Sequence, residues 1–243
     1  MLRKMKSLAG LLALCTLGAL ITSCGTDHAK VRFVQASPDV PGLDVAVDGK
    51  TVATDLVFGG LSQASDYLTV EAGNHRVEFR STGTTDDLIN STVAFGSHNE
   101  YTLLAIELAP PPTIAALLKT DDNSPPQSGN IKLRFIHTAP DPVDGGIPPV
   151  PAHVDIYIVT PGTDITNATP TIGSLGYQQA SDYQNLAAGS YEIIVTQSTD
   201  LTKARLIDQT YPFTAGQIRT FVTVDIAGGG NMSPTPLELS DLN

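Results

Sequence analysis

Gln63-Ala64-Ser65-Asp66-Tyr67 recurs without a change as Gln179-Ala180-Ser181-Asp182-Tyr183, and the fold is read outward from this duplication. Ahead of it, Lys30-Val31-Arg32-Phe33-Val34 is matched by Lys132-Leu133-Arg134-Phe135-Ile136, and Ala36-Ser37-Pro38-Asp39 by Thr138-Ala139-Pro140-Asp141. Leu43-Asp44-Val45-Ala46-Val47 corresponds to Val154-Asp155-Ile156-Tyr157-Ile158. Behind it, Ala72-Gly73 returns as Ala188-Gly189, and Thr102-Leu103-Leu104-Ala105-Ile106-Glu107 as Thr220-Phe221-Val222-Thr223-Val224-Asp225. Thr120-Asp121-Asp122-Asn123 closes the first copy as Ser240-Asp241-Leu242-Asn243 closes the second. The offset grows along the chain, which places insertions in the second copy at 143–152 and around 160–169; both interrupt apolar runs with turn formers and read as lengthened loops. The chain divides into a first domain, 28–123, a polar linker, 124–129, and a second domain, 130–243, each expected to fold alone.

Inside each copy the apolar residues alternate over short runs, Val31 with Phe33, Val77 with Phe79, Leu103 with Ala105, bounded by Pro-Asp, Asp-Gly, Ala-Gly and Thr-Gly. A period of two between turn signals is the mark of half-buried strands, and nothing of helical length has an amphipathic period. About seven or eight strands per copy predict an all-β protein, two tandem antiparallel β-sandwich domains of immunoglobulin-like general build.

The N-terminus has a different organisation. Arg3, Lys4 and Lys6 precede an apolar run from Leu8 to Ile21, the order of a secretory signal peptide over 1–23. The run is shorter than the roughly 20 residues that span a bilayer. Ile21-Thr22-Ser23-Cys24 resembles the bacterial lipobox, which implies that Cys24 is acylated, becomes the mature N-terminus and is the lipid attachment site. The membrane is then engaged through acyl chains, and the location is the cell envelope. Gly25, not an Asp, follows, which favours the outer membrane in a host that has one.

Removing 1–23 takes away three basic residues and no acidic one, so the mature chain is more acidic than the whole chain's net charge of −11. Such a surface repels phosphate backbones and excludes nucleic acid as a partner. Cys15 leaves with the signal and Cys24 is blocked by lipid, so no disulfide forms in the folded part and stability rests on apolar burial. Trp is absent and aromatics make up 6%, thin for a surface that grips sugars or peptides through ring platforms.

Candidate chemistry is sparse. No Gly-x-Ser-x-Gly elbow is present, and none of His28, His75, His98, His137 and His153 has a counterpart in the other copy. His137 and His153 lie on neighbouring predicted strands, too few ligands for zinc. Asp39, Asp44 and Asp48, with Asp141, Asp144 and Asp155, have the oxygen chemistry calcium takes, but no Asp-x-Asp-x-Asp-Gly loop exists, and they read as turn residues bonding nearby amides. No catalytic, cofactor-binding or metal-ligating residue is assigned. Asp66, Tyr67, Asp182 and Tyr183 of the duplicated segment are the candidate binding residues. The preferred reading of the segment is structural: Ser65 and Asp66 cap a turn while Tyr67 packs its ring and bonds its hydroxyl to backbone.

The Val-Arg-Phe-Val strand with its Ala-Ser-Pro-Asp turn, Asp-Val-Ala-Val-Asp-Gly, Ser-Asp-Tyr before an apolar strand and Ala-Gly turn, and the closing Thr-Asp-Asp-Asn together resemble the bacterial family called domain of unknown function 4397, in two copies. Ser-Pro-Asp is the most specific element, and the second copy departs from it with Ala139 and a long insertion after Asp141. The resemblance implies an exported or lipid-anchored protein with no assigned reaction. The sequence reading is therefore a lipid-anchored, non-enzymatic structural or binding module of the envelope, with an envelope protein or glycan as partner. The alternative is a carbohydrate-binding or hydrolytic protein using the second-copy loops, which Tyr157 and Tyr177 flank.

The lipobox gives the first prediction: Cys24→Ser abolishes incorporation of a fatty-acid analogue and moves the protein out of the detergent phase. Equal labelling of mutant and wild type contradicts the anchor.

Overall fold

The computed structural model describes residues 27–60, 67–108, 113–141, 143–144, 150–228 and 230–241; the signal peptide, Cys24 and Asp66 lie outside them. The first copy contains β1 (His28–Gln35), β2 (Leu43–Val47), β3 (Lys50–Leu56), β4 (Leu68–Glu71), β5 (Gly73–Ser81), β6 (Asp87–Phe95), β7 (Glu100–Leu108) and β8 (Thr113–Asp121). The second contains β9 (Asn130–His137), a short hairpin of β10 (Val143–Asp144) and β11 (Val150–Pro151) within the first insertion, then β12 (Val154–Val159), β13 (Ile172–Leu175), β14 (Gln184–Ala187), β15 (Gly189–Gln197), β16 (Arg205–Phe213), β17 (Ile218–Thr223) and β18 (Leu237–Ser240).

Each copy is a sandwich of two four-stranded sheets, in the orders β4-β1-β7-β8 and β3-β2-β5-β6 for the first and β14-β9-β17-β18 and β13-β12-β15-β16 for the second. The two orders correspond strand for strand. The Asp48-Gly49 signal makes the β2–β3 hairpin, both residues taking the positive φ (50° and 78°) that a tight two-residue turn needs. The expected antiparallel pairing holds except at one place per copy: β1 runs parallel to β7 and β9 parallel to β17. A parallel pair needs a long crossover, and the strands of the second sheet supply it.

Val31, Phe33, Val45, Phe79, Leu103 and Ala105 fill the first sandwich, where Phe33 and Phe79 meet edge to face at 6.2 Å. Ile131, Leu133, Phe135, Ile156, Ile193, Val195 and Phe221 fill the second, with Phe135 stacked on Phe221 at 5.4 Å. A third apolar cluster belongs to both copies: Val34, Ala36, Leu104 and Ile106 of the first pack with Ile136, Val222, Val224 and Leu239 of the second. On β1, β7, β9 and β17 these residues alternate with the core residues, Ala36 and Val224 lying just past the strand ends and Leu239 on β18. The outer face of β4-β1-β7-β8 therefore packs on the outer face of β14-β9-β17-β18, and the central strands are buried on both sides, as their near-continuous apolar runs require. Arg32 and Arg134, which the alternation assigns to a solvent face, are 0% and 2% exposed.

The two outermost sheets differ. In the second copy the loop after β12 folds back so that Ile165 packs with Tyr157 and Ile194, and the Lys203 ammonium fastens it by donating to the Ile165 and Ala168 carbonyls at 2.8 and 2.7 Å. Tyr157 is thereby buried, not offered to a ligand. Among the described residues the matching sheet of the first copy has no such loop over it, and Thr51, Thr54, Asn90 and Thr92 are exposed.

Candidate functional site

The duplicated residues converge where the two copies meet. From β1, Arg32 donates through Nε to the Thr102 hydroxyl (2.8 Å), through Nη1 to the Ser240 carbonyl (2.9 Å) and through Nη2 to the Asp241 carboxylate. From β9, Arg134 does the same in the opposite direction, to the Thr220 hydroxyl (3.2 Å from Nε), the Thr120 carbonyl (2.9 Å) and the Asp121 carboxylate (2.5 Å). Each threonine hydroxyl donates its own hydrogen bond to the aspartate of its own copy, Thr102 to Asp121 at 2.7 Å and Thr220 to Asp241 at 2.8 Å. The arginine of one copy thus closes on the terminal aspartate of the other, twice. Burial alone lowers a guanidinium's affinity for its proton, but the Asp241 carboxylate, with Asp121 behind it, outweighs burial and holds Arg32 above its ordinary value.

Tyr67 and Tyr183 roof this network. The Arg32 guanidinium lies 5.1 Å from the Tyr67 ring centre, and Arg134 and the Lys132 ammonium each lie 4.8 Å from that of Tyr183. The Tyr67 hydroxyl donates to the Asp121 carboxylate at 2.6 Å, not to backbone as the sequence reading expects, because the end of β8 in its own copy brings that buried anion within reach. Burial first, then the Asp121 charge, pushes its ionisation far above the usual phenol range. Tyr183 is pushed up to about 12, mainly by burial against the opposing charge of Arg134, and its hydroxyl accepts from the Asp122 amide at 3.4 Å. Lys132 bonds the Asp122 carboxylate at 2.7 Å, which with Ser124 holds that group down to about 2. Asp182 lies exposed, with its carbonyl accepting from Ser181 and Gln184. An open hollow over Tyr183 is lined by Asp122, Ser124, Pro125, Lys132 and Asn185.

Asp44, Asp48 and Asp155 are engaged within their own copies. Asp44 accepts from the Asp55 and Gly83 amides at 2.9 and 3.0 Å, and Asp155 from the Ser174 amide and Ser198 hydroxyl at 2.8 and 2.7 Å. Asp48 accepts from the Arg76 amide. Among the described residues no three His, Cys, Asp or Glu stand where they could hold one metal ion. His137 donates from Nε2 to the Ala152 carbonyl (2.9 Å) and takes the Thr223 hydroxyl at Nδ1 (2.8 Å); burial lowers it to about 4, so it is a neutral interior imidazole. Tyr177, expected beside a loop, donates to the Glu107 carbonyl of the first copy at 2.5 Å. Sequence reasoning missed Arg32, Thr102, Asp121, Arg134, Thr220 and Asp241. Their signal was available: each stands at the same place in both copies, the residue type unchanged.

Two substitutions test the network. Arg32→Ala leaves Asp241 buried without its partner and lowers unfolding free energy by about 3–5 kcal/mol in urea, while Arg32→Met with Asp241→Leu recovers most of it. Tyr67→Phe keeps the ring, orphans part of the Asp121 carboxylate and costs about 1–3 kcal/mol. Losses within about 0.5 kcal/mol, the range of ordinary surface changes, contradict the burial.

No curated protein matches this chain. Among solved structures it is similar, at 11% identity, to the Bacillus anthracis TIE protein, over 82% of this chain and 33% of that one, with a TM-score of 0.26. It is similar at 10% identity to CBMbc (family CBM26) from Eubacterium rectale Amy13K in complex with maltoheptaose, over 86% of this chain and 97% of that one, with a TM-score of 0.23. The chain spans about a third of the first structure's length, and both likenesses are too distant to transfer anything to it. Residues 29–144 and 149–242 match the family described as a domain of unknown function, DUF4397, and with nearly all of the described chain covered in these two segments the protein belongs to that family.

Proposed function

We propose that the protein is a lipid-anchored, non-enzymatic module of the bacterial cell envelope whose two copies act as one rigid body. Cys24 carries the lipid, the outer membrane is its site in a host that has one, and the partner is an envelope protein or glycan. The observation that carries this reading is the use made of the duplicated polar residues: Arg32 and Asp121 and their counterparts Arg134 and Asp241 are engaged between the copies, and Tyr67 and Tyr183 pack over the arginines of their own copies. What the copies share builds the body. The partner-binding surface is then sought outside the duplication, on the first copy's uncovered sheet β3-β2-β5-β6, since the equivalent sheet of the second copy is capped by its own insertion.

The test places a photocrosslinking residue at Thr51 or Thr92 of that sheet, or at Thr166 in the second-copy cap, in intact cells. A discrete adduct from Thr51 and Thr92 and none from Thr166 is expected. Adducts from Thr166 alone contradict the face assignment, and release of sugars from envelope polysaccharide by the purified chain contradicts the non-enzymatic reading.

A further inference from the structure

The seam between the copies is chemically lopsided. Along the outward face of β1 the order is Arg32, then Val34 and Ala36, then the Pro38-Asp39 turn, so the crossed ion pairs sit at one end, the shared apolar cluster in the middle and the two Pro-Asp turns at the other. At that far end four carboxylates gather: Asp39 and Asp141 of the turns, Glu107 at the end of β7, and Asp225 just past β17. Glu107 is 1% exposed and Asp225 2%.

Their partners do not balance them. The Ser37 hydroxyl donates to Glu107 Oε2 at 3.1 Å, while Glu107 Oε1 is buried with no hydrogen-bond partner among the described residues. Ala139 stands where Ser37 does, so Asp225 has no such hydroxyl and, among the described residues, its side chain takes the Asp141 amide alone, at 3.4 and 3.3 Å. Asp39 and Asp141 are held from one loop of the second copy, by the Gly228 and Gly230 amides at 2.6 Å each. The charges facing Asp225 are those of Asp141, Glu107 and Asp39, with the Tyr177 phenol beside it; those facing Glu107 are Asp39 and Asp141. All are of one sign. An ionised carboxylate buried among its own kind is strongly disfavoured, and the group neutralises instead.

We propose that this acidic end of the seam is a proton-operated latch, closed while Asp225 and Glu107 are neutral carboxyls and forced apart when they ionise, with the crossed arginine–aspartate pairs at the other end acting as the hinge. Burial, then the Asp141 charge, raises Asp225 to about 8, and burial raises Glu107 as well. For a carboxyl raised on folding, its contribution to stability is full below its ordinary value near 3.8 and is lost as pH climbs through the folded value. The latch therefore weakens progressively between about pH 4 and 8 and stands open above that.

The experiment uses the mature chain with Cys24→Ser and Ala36→Cys, a thiol placed in the seam at a residue only 2% exposed. Its rate of modification and the melting temperature are followed from pH 5 to 9 with a chelator present, the rate corrected for thiol ionisation. The wild-type seam is expected to melt lower as pH rises and to expose the thiol several-fold faster at pH 8.5 than at pH 6. Asp225→Asn is expected to match wild type at pH 5, to melt higher than wild type at pH 8.5 and to keep the thiol protected there. Should Asp225→Asn not fold, Glu107→Gln carries the same comparison. A flat wild-type profile, or a variant no more stable than wild type at pH 8.5, overturns the latch. So does protection of the wild-type thiol by added Ca2+ at pH 8.5, which would make a cation and not a proton the neutralising partner.

Discussion

Two guanidinium groups, Arg32 and Arg134, lie out of contact with water between two β-sandwiches, and each finds its anion on the opposite sandwich. Taking an arginine out of water costs several kcal/mol, returned only where counter-charge and hydrogen bonds are complete. Here completion needs both copies. The carboxylates are the closing residues of each copy, Asp121 at the end of β8 and Asp241 just past β18, so each copy's last strand must be in place before the other's first strand is neutralised. The arrangement has the logic of a two-fold dimer interface within a single chain: one patch, carrying both the cation and the anion, meets its own duplicate.

That constraint orders the layers. Because Arg32 and Arg134 face each other's sheets, β1, β7, β9 and β17 are covered on both sides, and Val34, Leu104, Ile136 and Val222 extend the apolar contact beyond the charges. The departures from symmetry fall away from this centre. Lys30 pairs with Glu100 at the surface, whereas its counterpart Lys132 is drawn under Tyr183 to Asp122 of the first copy and Ser124 of the linker. Ser37 holds Glu107, while Ala139 leaves Asp225 without that hydroxyl. The long loop of the second copy covers an outer sheet that the first copy leaves open.

Much of the fold was legible because the strand pattern is local. Val31 with Phe33 and Leu133 with Phe135 alternate as strands do, Asp48-Gly49 turns as its residues require, and the internal match delivered two equivalent sandwiches. What was not legible is what depends on a covering surface. A lysine or arginine at every second position reads as a solvated face, and nothing inside Lys30 to Val34 says that another sheet lies on it; the hint was the unbroken apolar run Leu103 to Ile106, which a strand wet on one side does not need. Tyr67 was recognised as a packed ring, but its hydroxyl partner Asp121 lies 54 residues on and could not be guessed from local turn chemistry. The parallel pairing of β1 with β7 was hidden for the same reason, being fixed by topology and not by residue type.

If the crossed pairs make the two sandwiches one cooperative unit, the calorimetric melt of the intact chain decides the matter. A cooperative unit has a van't Hoff enthalpy equal to the calorimetric enthalpy. The account predicts a single transition with that equality for the whole chain. Two resolved transitions, or a van't Hoff enthalpy near half the calorimetric value, would show that the sandwiches unfold independently and that the buried arginines do not bind them together.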